Sequence, residues 1–163
     1  MSKAFTSEEA TLEVVVPPRA PLPPGVPNYV TPRGLEQLRA ERLALEAERA
    51  ELEQGPEEGR GPALAAWSRR LGELERRLAS AELVEPGSMQ PGVVRFGSNV
   101  TVADEAGREK AYEIVGVDEA DAAHGRIAFL APLAKALLGR EVGDRVSVQT
   151  PGGRQELEIV SLA

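Results

Sequence analysis

The chain contains no cysteine and a single histidine. A disulfide framework and a Cys/His zinc site are therefore excluded, and any metal would have to be held by oxygens. Basic residues are outnumbered, 19 Lys+Arg against 26 Asp+Glu for a net charge of -7, which argues against the broad basic footprint that grips phosphate backbones. Long apolar runs are missing as well. The longest near the start, Val14-Val15-Val16, is closed at once by Pro17 and Pro18, far short of a signal-peptide core or a membrane span. A cytoplasmic protein is expected. Nucleophilic catalysis needs a nucleophile beside a base, and the one histidine, His124, sits in the loop sequence Asp121-Ala122-Ala123-His124-Gly125 with no cysteine and no elbow motif. No residue is assigned a catalytic role. No glycine run has the strand-GxxxxGK[ST]-helix context of a phosphate loop.

What is present, in 163 residues, is room for two modest modules. Residues 1–29 carry six prolines, at positions 17, 18, 21, 23, 24 and 27, among polar and acidic residues. Without a sustained hydrophobic period they read as a disordered, partly extended tail. Phe5 and the Val14-Val15-Val16 patch could form a short docking motif within it.

Residues 30–84 read as a coiled-coil hairpin. Thr31-Pro32 is a helix start, because Thr can cap free amides and Pro is tolerated in a first turn. The first helix should cover about 32–54, with Leu35, Leu38, Leu45 and Leu52 in a seven-residue rhythm interrupted by Arg42 and Arg49. Arginine stems can still lie along such a seam with their charges in water. Residues 55–62 hold three Gly and two Pro and read as the tip. The second helix, about 63–82, has the cleaner stripe: Leu64, Trp67, Leu71, Leu74, Leu78 and Ala81 at steps of three and four. Two such helices joined by a short breaker fold back antiparallel. A projecting arm, a pair packed flat on a domain and a dimer seam all use this pattern; the narrow apolar stripe favours the arm, in a monomer.

From Pro91 to Ala163 the period changes to two. Val100-Thr101-Val102 and Tyr112-Glu113-Ile114-Val115 flank the turn Asp104-Glu105-Ala106-Gly107, and Val146-Ser147-Val148 and Leu157-Glu158-Ile159-Val160 flank Pro151-Gly152-Gly153. These are hairpins. Arg126-Ile127-Ala128-Phe129-Leu130 is a further strand, and Pro132 opens a short helix closed by Gly139. The fold class expected is α+β: a helical hairpin, then an antiparallel sheet crossed by one short helix.

Two acidic groups are candidate sites. Asp118-Glu119-Ala120-Asp121 places three carboxylates in four residues, which fits a charged docking surface, a weak cation site or a solvated turn. Glu57 and Glu58 at the tip could offer two oxygens to a hard cation such as Mg2+, or only solubility.

Several ordered stretches resemble the GreA/GreB transcript-cleavage factors. They are Tyr29-Val30-Thr31-Pro32-Arg33-Gly34-Leu35, Leu78-Ala79-Ser80-Ala81-Glu82-Leu83-Val84 and Phe96-Gly97-Ser98-Asn99-Val100-Thr101-Val102. They continue with Tyr112 to Asp121, Pro132 to Gly139, Val142-Gly143-Asp144 and Thr150-Pro151-Gly152-Gly153. Met1-Ser2-Lys3-Ala4-Phe5 and the acidic, Pro-rich tail are similar to a GreB-like branch. The resemblance implies an FKBP-like C-terminal domain that docks at the secondary channel of bacterial RNA polymerase through Asp118, Glu119, Asp121, Pro132 and Leu133, with the hairpin inserted toward the active centre. Nucleic acid would be met only through the elongation complex. The tip motif of cleavage factors, of the form D-x-x-E-N-A-x-Y, is absent. Its place is taken by Gly55 to Pro62, and each helix is shorter by about one heptad, removing roughly 10 Å of reach. The expectation is a regulator of polymerase with weak or no cleavage stimulation, not itself an enzyme and without a cofactor of its own. The alternatives are cleavage stimulation through a Mg2+ shared with polymerase at Glu57 and Glu58, and prolyl isomerisation, for which the domain offers Phe96, Tyr112 and Phe129. Ala131, before Pro132, stands where many relatives carry Ser.

Overall fold

The computed structural model describes residues 17–85 and 91–163. Arg19 and Leu38–Ala79 belong to one compact unit, and Ala20–Gln37 with Ser80–Ala163 to a second.

The first unit is built on two helices, α1 (Pro32–Gln54) and α2 (Arg60–Ser80). Their seam buries Leu38, Leu45, Ala66, Trp67 and Leu74, with Leu52, Leu64, Leu71 and Leu78 half-buried. Cross-contacts run in opposite senses, as an antiparallel pair requires: Arg42 faces Glu75 at 3.6 Å, and Arg49 lies over the Trp67 ring at 5.1 Å. The Trp67 indole donates to the Leu45 carbonyl at 2.7 Å, and Arg70 grips Glu48 at 2.8 and 2.9 Å. Arg42 and Arg49, which interrupt the leucine rhythm, are exposed and pair along the helix with Glu46 and Glu53.

Three boundaries differ from the sequence reading. The inter-helix turn is Gly55 to Gly59, because Gly59 adopts φ 74° and α2 begins at Arg60. Gly61 and Pro62, read as breakers, lie in a first turn, where a missing N–H has no partner to lose. α2 stops at Ser80 rather than about residue 82 because the next three residues pair as a strand. The Pro-rich tail does not extend to residue 29: Arg19 bonds Glu41, and Ala20, Leu22 and Val26 pack against the C-terminal core. Isolated apolar residues between prolines can lie on a surface in extended conformation without a ladder of hydrogen bonds. Phe5 and Val14–Val16 lie outside the described residues.

The second unit holds two sheets. A short parallel ladder joins β1 (Asn28–Val30) to β2 (Ala81–Leu83), reinforced by Asn28 Nδ2 donating to Ser80 Oγ at 3.2 Å. The main sheet uses β3 (Asn99–Ala103), β4 (Glu109–Val115), β5 (Arg126–Ala128), β6 (Arg145–Thr150) and β7 (Gly153–Leu162) in the order β5-β4-β3-β7-β6. The β3/β4 and β6/β7 hairpins follow from their turns. β4 and β5 pair in parallel, so the sheet is mixed rather than wholly antiparallel. The connection responsible is the loop 116–125, which carries the chain back before β5 begins. The inward sides of the strands supply Val100, Val102, Ile114, Val146, Val148, Leu157 and Ile159 to the core. Helix α3 (Pro132–Leu137) closes it with Ala134 and Leu137, one turn apart. Each large side chain so buried contributes about 1.5–3 kcal/mol. The chain is α+β.

Candidate functional site

The loop between β4 and β5 carries the acidic sequence. It is held against β1 and the first turn of α1 by two close approaches, each made at a glycine. A Cβ on Gly116 would lie 2.5 Å from the Tyr29 carbonyl, and one on Gly34 would lie 2.6 Å from Glu119 Oε2. Thr31 caps α1, its Oγ1 accepting the Gly34 amide at 3.0 Å while donating to Glu119 Oε2 at 2.6 Å. Arg33 donates from Nε to Glu119 at 2.7 Å and from Nη2 to both oxygens of Glu113 at 2.8 and 2.7 Å. Arg126 on β5 approaches the same Glu113 at 3.7 Å. The hydrogen bond to Glu113 is the main cause of a raised Arg33 pKa, so this guanidinium stays charged.

The sequence-derived docking set does not lie on one surface. Glu119 is 5% exposed and its carboxylate is engaged by Thr31 and Arg33, so it faces the interior. A buried carboxylate is tolerated only with such partners. Asp118 is half-buried. Asp121 opens the short 3-10 turn Ala122–His124, accepting the Ala123 amide at 3.1 Å and lying 2.6 Å from His124 Nδ1. The hydrogen bond from His124 holds the Asp121 carboxyl below the usual carboxylate range. Pro132 is exposed and Leu133 half-buried against the core. Ala131 takes the N-cap position of α3 in extended conformation and supplies no side-chain cap.

Of the three aromatics that the sequence offered for an apolar pocket, Phe96 and Phe129 do share a cleft, and the member that sequence reasoning missed is Tyr29. Tyr29, Phe96 and Phe129 meet with ring centroids 5.6 to 5.7 Å apart and line, with Val84, Val93 and Leu138, a cavity of about 430 Å³. Tyr29 comes from β1; Tyr112, expected to contribute, lies instead under the Lys110 ammonium at 5.1 Å. Glu57 and Glu58 are exposed on the inter-helix turn. They would give a divalent cation at most two carboxylate groups, and among the described residues no group of three or more potential ligands gathers anywhere. Also among these residues, no helix is long and apolar enough to cross a membrane.

Much of this chain recurs in known proteins. Residues 89–163 match the family profile described as transcription elongation factor, GreA/GreB, C-term. Over 149 residues the chain is 35% identical to transcription elongation factor GreA of Brucella canis, covering 82% of this chain and 95% of that protein. The chain belongs to the GreA/GreB family.

Within the GreA/GreB family, the GreA of Beijerinckia indica is 43% identical over 95 residues, 58% of this chain and 60% of that protein. The match thus spans about 60% of the first curated relatives' length. Among solved structures, GreA factor homolog 1 of Thermus thermophilus is 30% identical with a TM-score of 0.41, covering 83% of this chain and 97% of that one. A GreA/GreB elongation factor of Nitrosomonas europaea gives 29% and 0.42, with 83% and 98% covered. The named curated relatives are GreA proteins; the opening Met1–Phe5, which suggested a GreB-like branch, lies outside the described residues.

Proposed function

We propose that this chain is a regulator of transcription elongation that docks, as a cytoplasmic monomer, on bacterial RNA polymerase at the secondary channel. The C-terminal body carries the docking surface, through Asp118, Asp121, Pro132 and Leu133. The hairpin is inserted and acts by occupancy, with weak or no stimulation of RNA cleavage. Family membership supports the partner. The observation that carries the finer reading is the tip, a five-residue turn, Gly55 to Gly59, whose only carboxylates are the exposed Glu57 and Glu58. Helices of 23 and 21 residues give an arm of about 30–35 Å. Metal coordination tolerates only a few tenths of an ångström, which an exposed pair on a Gly/Pro turn is poorly built to supply.

The test is a transcript-cleavage assay on a backtracked elongation complex, run beside competition against an active Gre factor. Competition without stimulated cleavage supports occupancy. The second reading rests on the adjacency of Glu57 and Glu58, which would complete a Mg2+ site belonging to polymerase. It requires wild-type cleavage well above polymerase alone that is removed by Glu57→Ala with Glu58→Ala; that pair of results would replace occupancy. A prolyl isomerase reading has the aromatic cleft in its favour, and a proline-peptide isomerisation assay showing no turnover would remove it.

A further inference from the structure

The acidic loop contains side chains facing two ways. The Asp121 carboxylate bonds within its own turn and is in part exposed, while Glu119, two residues earlier, reaches inward to the N-terminus of α1. Three features converge on Glu119: burial to 5% exposure, a pair of charge-assisted hydrogen bonds, and the absence of a Cβ at Gly34 where its carboxylate lies. The network does not end there, because Arg33 continues to Glu113 on β4, and Glu113 faces Arg126 on β5. Loop, strand pair and first helical turn are thus tied through Arg33 and two carboxylates, Glu119 and Glu113.

From this we infer that Glu119 is a positioning residue that couples the acidic docking loop to the base of the hairpin. Order imposed on the loop by a bound partner passes through Glu119 to Thr31, Arg33 and Gly34, so that docking and placement of α1 become one event. Such coupling is carried by contiguous hydrogen-bonded groups with little freedom to rearrange separately. The coupling rests on the docking reading above, whereas the anchor itself does not.

The experiment uses the full chain and has two arms. In the free protein, amide exchange is measured at Gly34 and Leu35, whose N–H groups bond Thr31 Oγ1 and the Thr31 carbonyl. Glu119→Gln keeps the shape and removes the charge. It should speed exchange there by about ten- to hundredfold, the factor expected when a charge-assisted bond leaves a local opening equilibrium. Thr31→Ser should remain near wild type. Should Glu119→Gln fail to fold, Arg33→Gln breaks the same bond from its more exposed side. In the second arm, Glu57→Cys gives a unique thiol in a cysteine-free chain, and cross-linking from the tip to polymerase is compared with affinity. Glu119→Gln should leave affinity near wild type while tip cross-linking per bound molecule falls severalfold; reversal of Asp118 and Asp121 should do the opposite. Unchanged exchange at Gly34 and Leu35 in folded Glu119→Gln overturns the anchor. Affinity and cross-linking falling in parallel, or neither changing, overturns the coupling. Failure of the wild-type protein to bind polymerase overturns the docking reading and the coupling with it, and the exchange arm still judges the anchor.

Discussion

The helical seam makes a sharp quantitative claim, because two leucines three residues apart are buried to different degrees. Leu74 is wholly buried and Leu71 only half. Leu74→Ala removes three carbons at about 0.8 kcal/mol each, so roughly 2.4 kcal/mol of transfer energy is lost. The void left behind raises the total to about 3–5 kcal/mol where the helices cannot close over it. At Leu71 the surviving exposure should reduce the loss to about 1–1.5 kcal/mol. Trp67 is the chain's single tryptophan and sits in this seam with its indole on the Leu45 carbonyl, so its fluorescence reports the helical pair and nothing else. With a urea slope of about 1 kcal/mol/M for so small a unit, Leu74→Ala should lower the fluorescence midpoint by about 3–5 M and Leu71→Ala by about 1–1.5 M. Equal shifts, or a larger one for Leu71→Ala, would refute the packing argument.

Ala131→Ser should stabilise the C-terminal body by about 0.5–2 kcal/mol, since the extended N-cap of α3 lacks a side-chain acceptor; chemical denaturation followed by far-ultraviolet circular dichroism at β-sheet wavelengths checks it. The depressed Asp121 carboxyl contributes loop stability that is complete above the ordinary Asp range and is lost as pH falls through its lower folded value. The protection of the Ala123 amide, its exchange rate taken relative to the intrinsic rate at each pH, should accordingly fall on acidification, and Asp121→Asn should abolish that fall. Reversing Asp118 and Asp121 together to Lys should weaken polymerase binding by about tenfold without unfolding, measured by fluorescence anisotropy. Glu119→Lys, by contrast, should unfold the body, because it sets a buried cation against Arg33; a cooperative wild-type melt of that variant would contradict the burial argument.

Much of the architecture was legible because local chemistry and tertiary demand agree. Thr31-Pro32 announced a helix start, and Thr31 does cap Gly34. Period-two segments with turn residues between them became β3/β4 and β6/β7. The illegible parts are those set by distant partners. β1 and β2 are three residues each and pair across the whole hairpin, so no local pattern marks them. Prolines between residues 17 and 27 suppress every periodic signal, yet Ala20, Leu22 and Val26 still find the core one at a time. Gly61 and Pro62 read as breakers because composition does not say on which side of a helix boundary they fall.

The candidate site was legible as charge and illegible as direction. Asp118, Glu119 and Asp121 look alike in a linear reading, and only the fold separates an inward carboxylate from those at the surface. One local signal did exist. Gly34 sits in the first turn of a long helix, and glycine is the poorer helix former, by up to about 1 kcal/mol relative to alanine in a helix interior, and nothing in the helical pattern calls for it. The structure supplies the reason: alanine would gain that propensity but set its Cβ 2.6 Å from the Glu119 carboxylate, displacing the acceptor that holds both Thr31 and Arg33. Leaving a buried hydrogen-bonding group unsatisfied costs about 1–3 kcal/mol, and more when it is charged. Loss of the anchor outweighs the gain in propensity, so a residue unfavourable to the helix is the one that lets the helix be anchored. A glycine against propensity thus points to the same carboxylate that burial and hydrogen bonding single out.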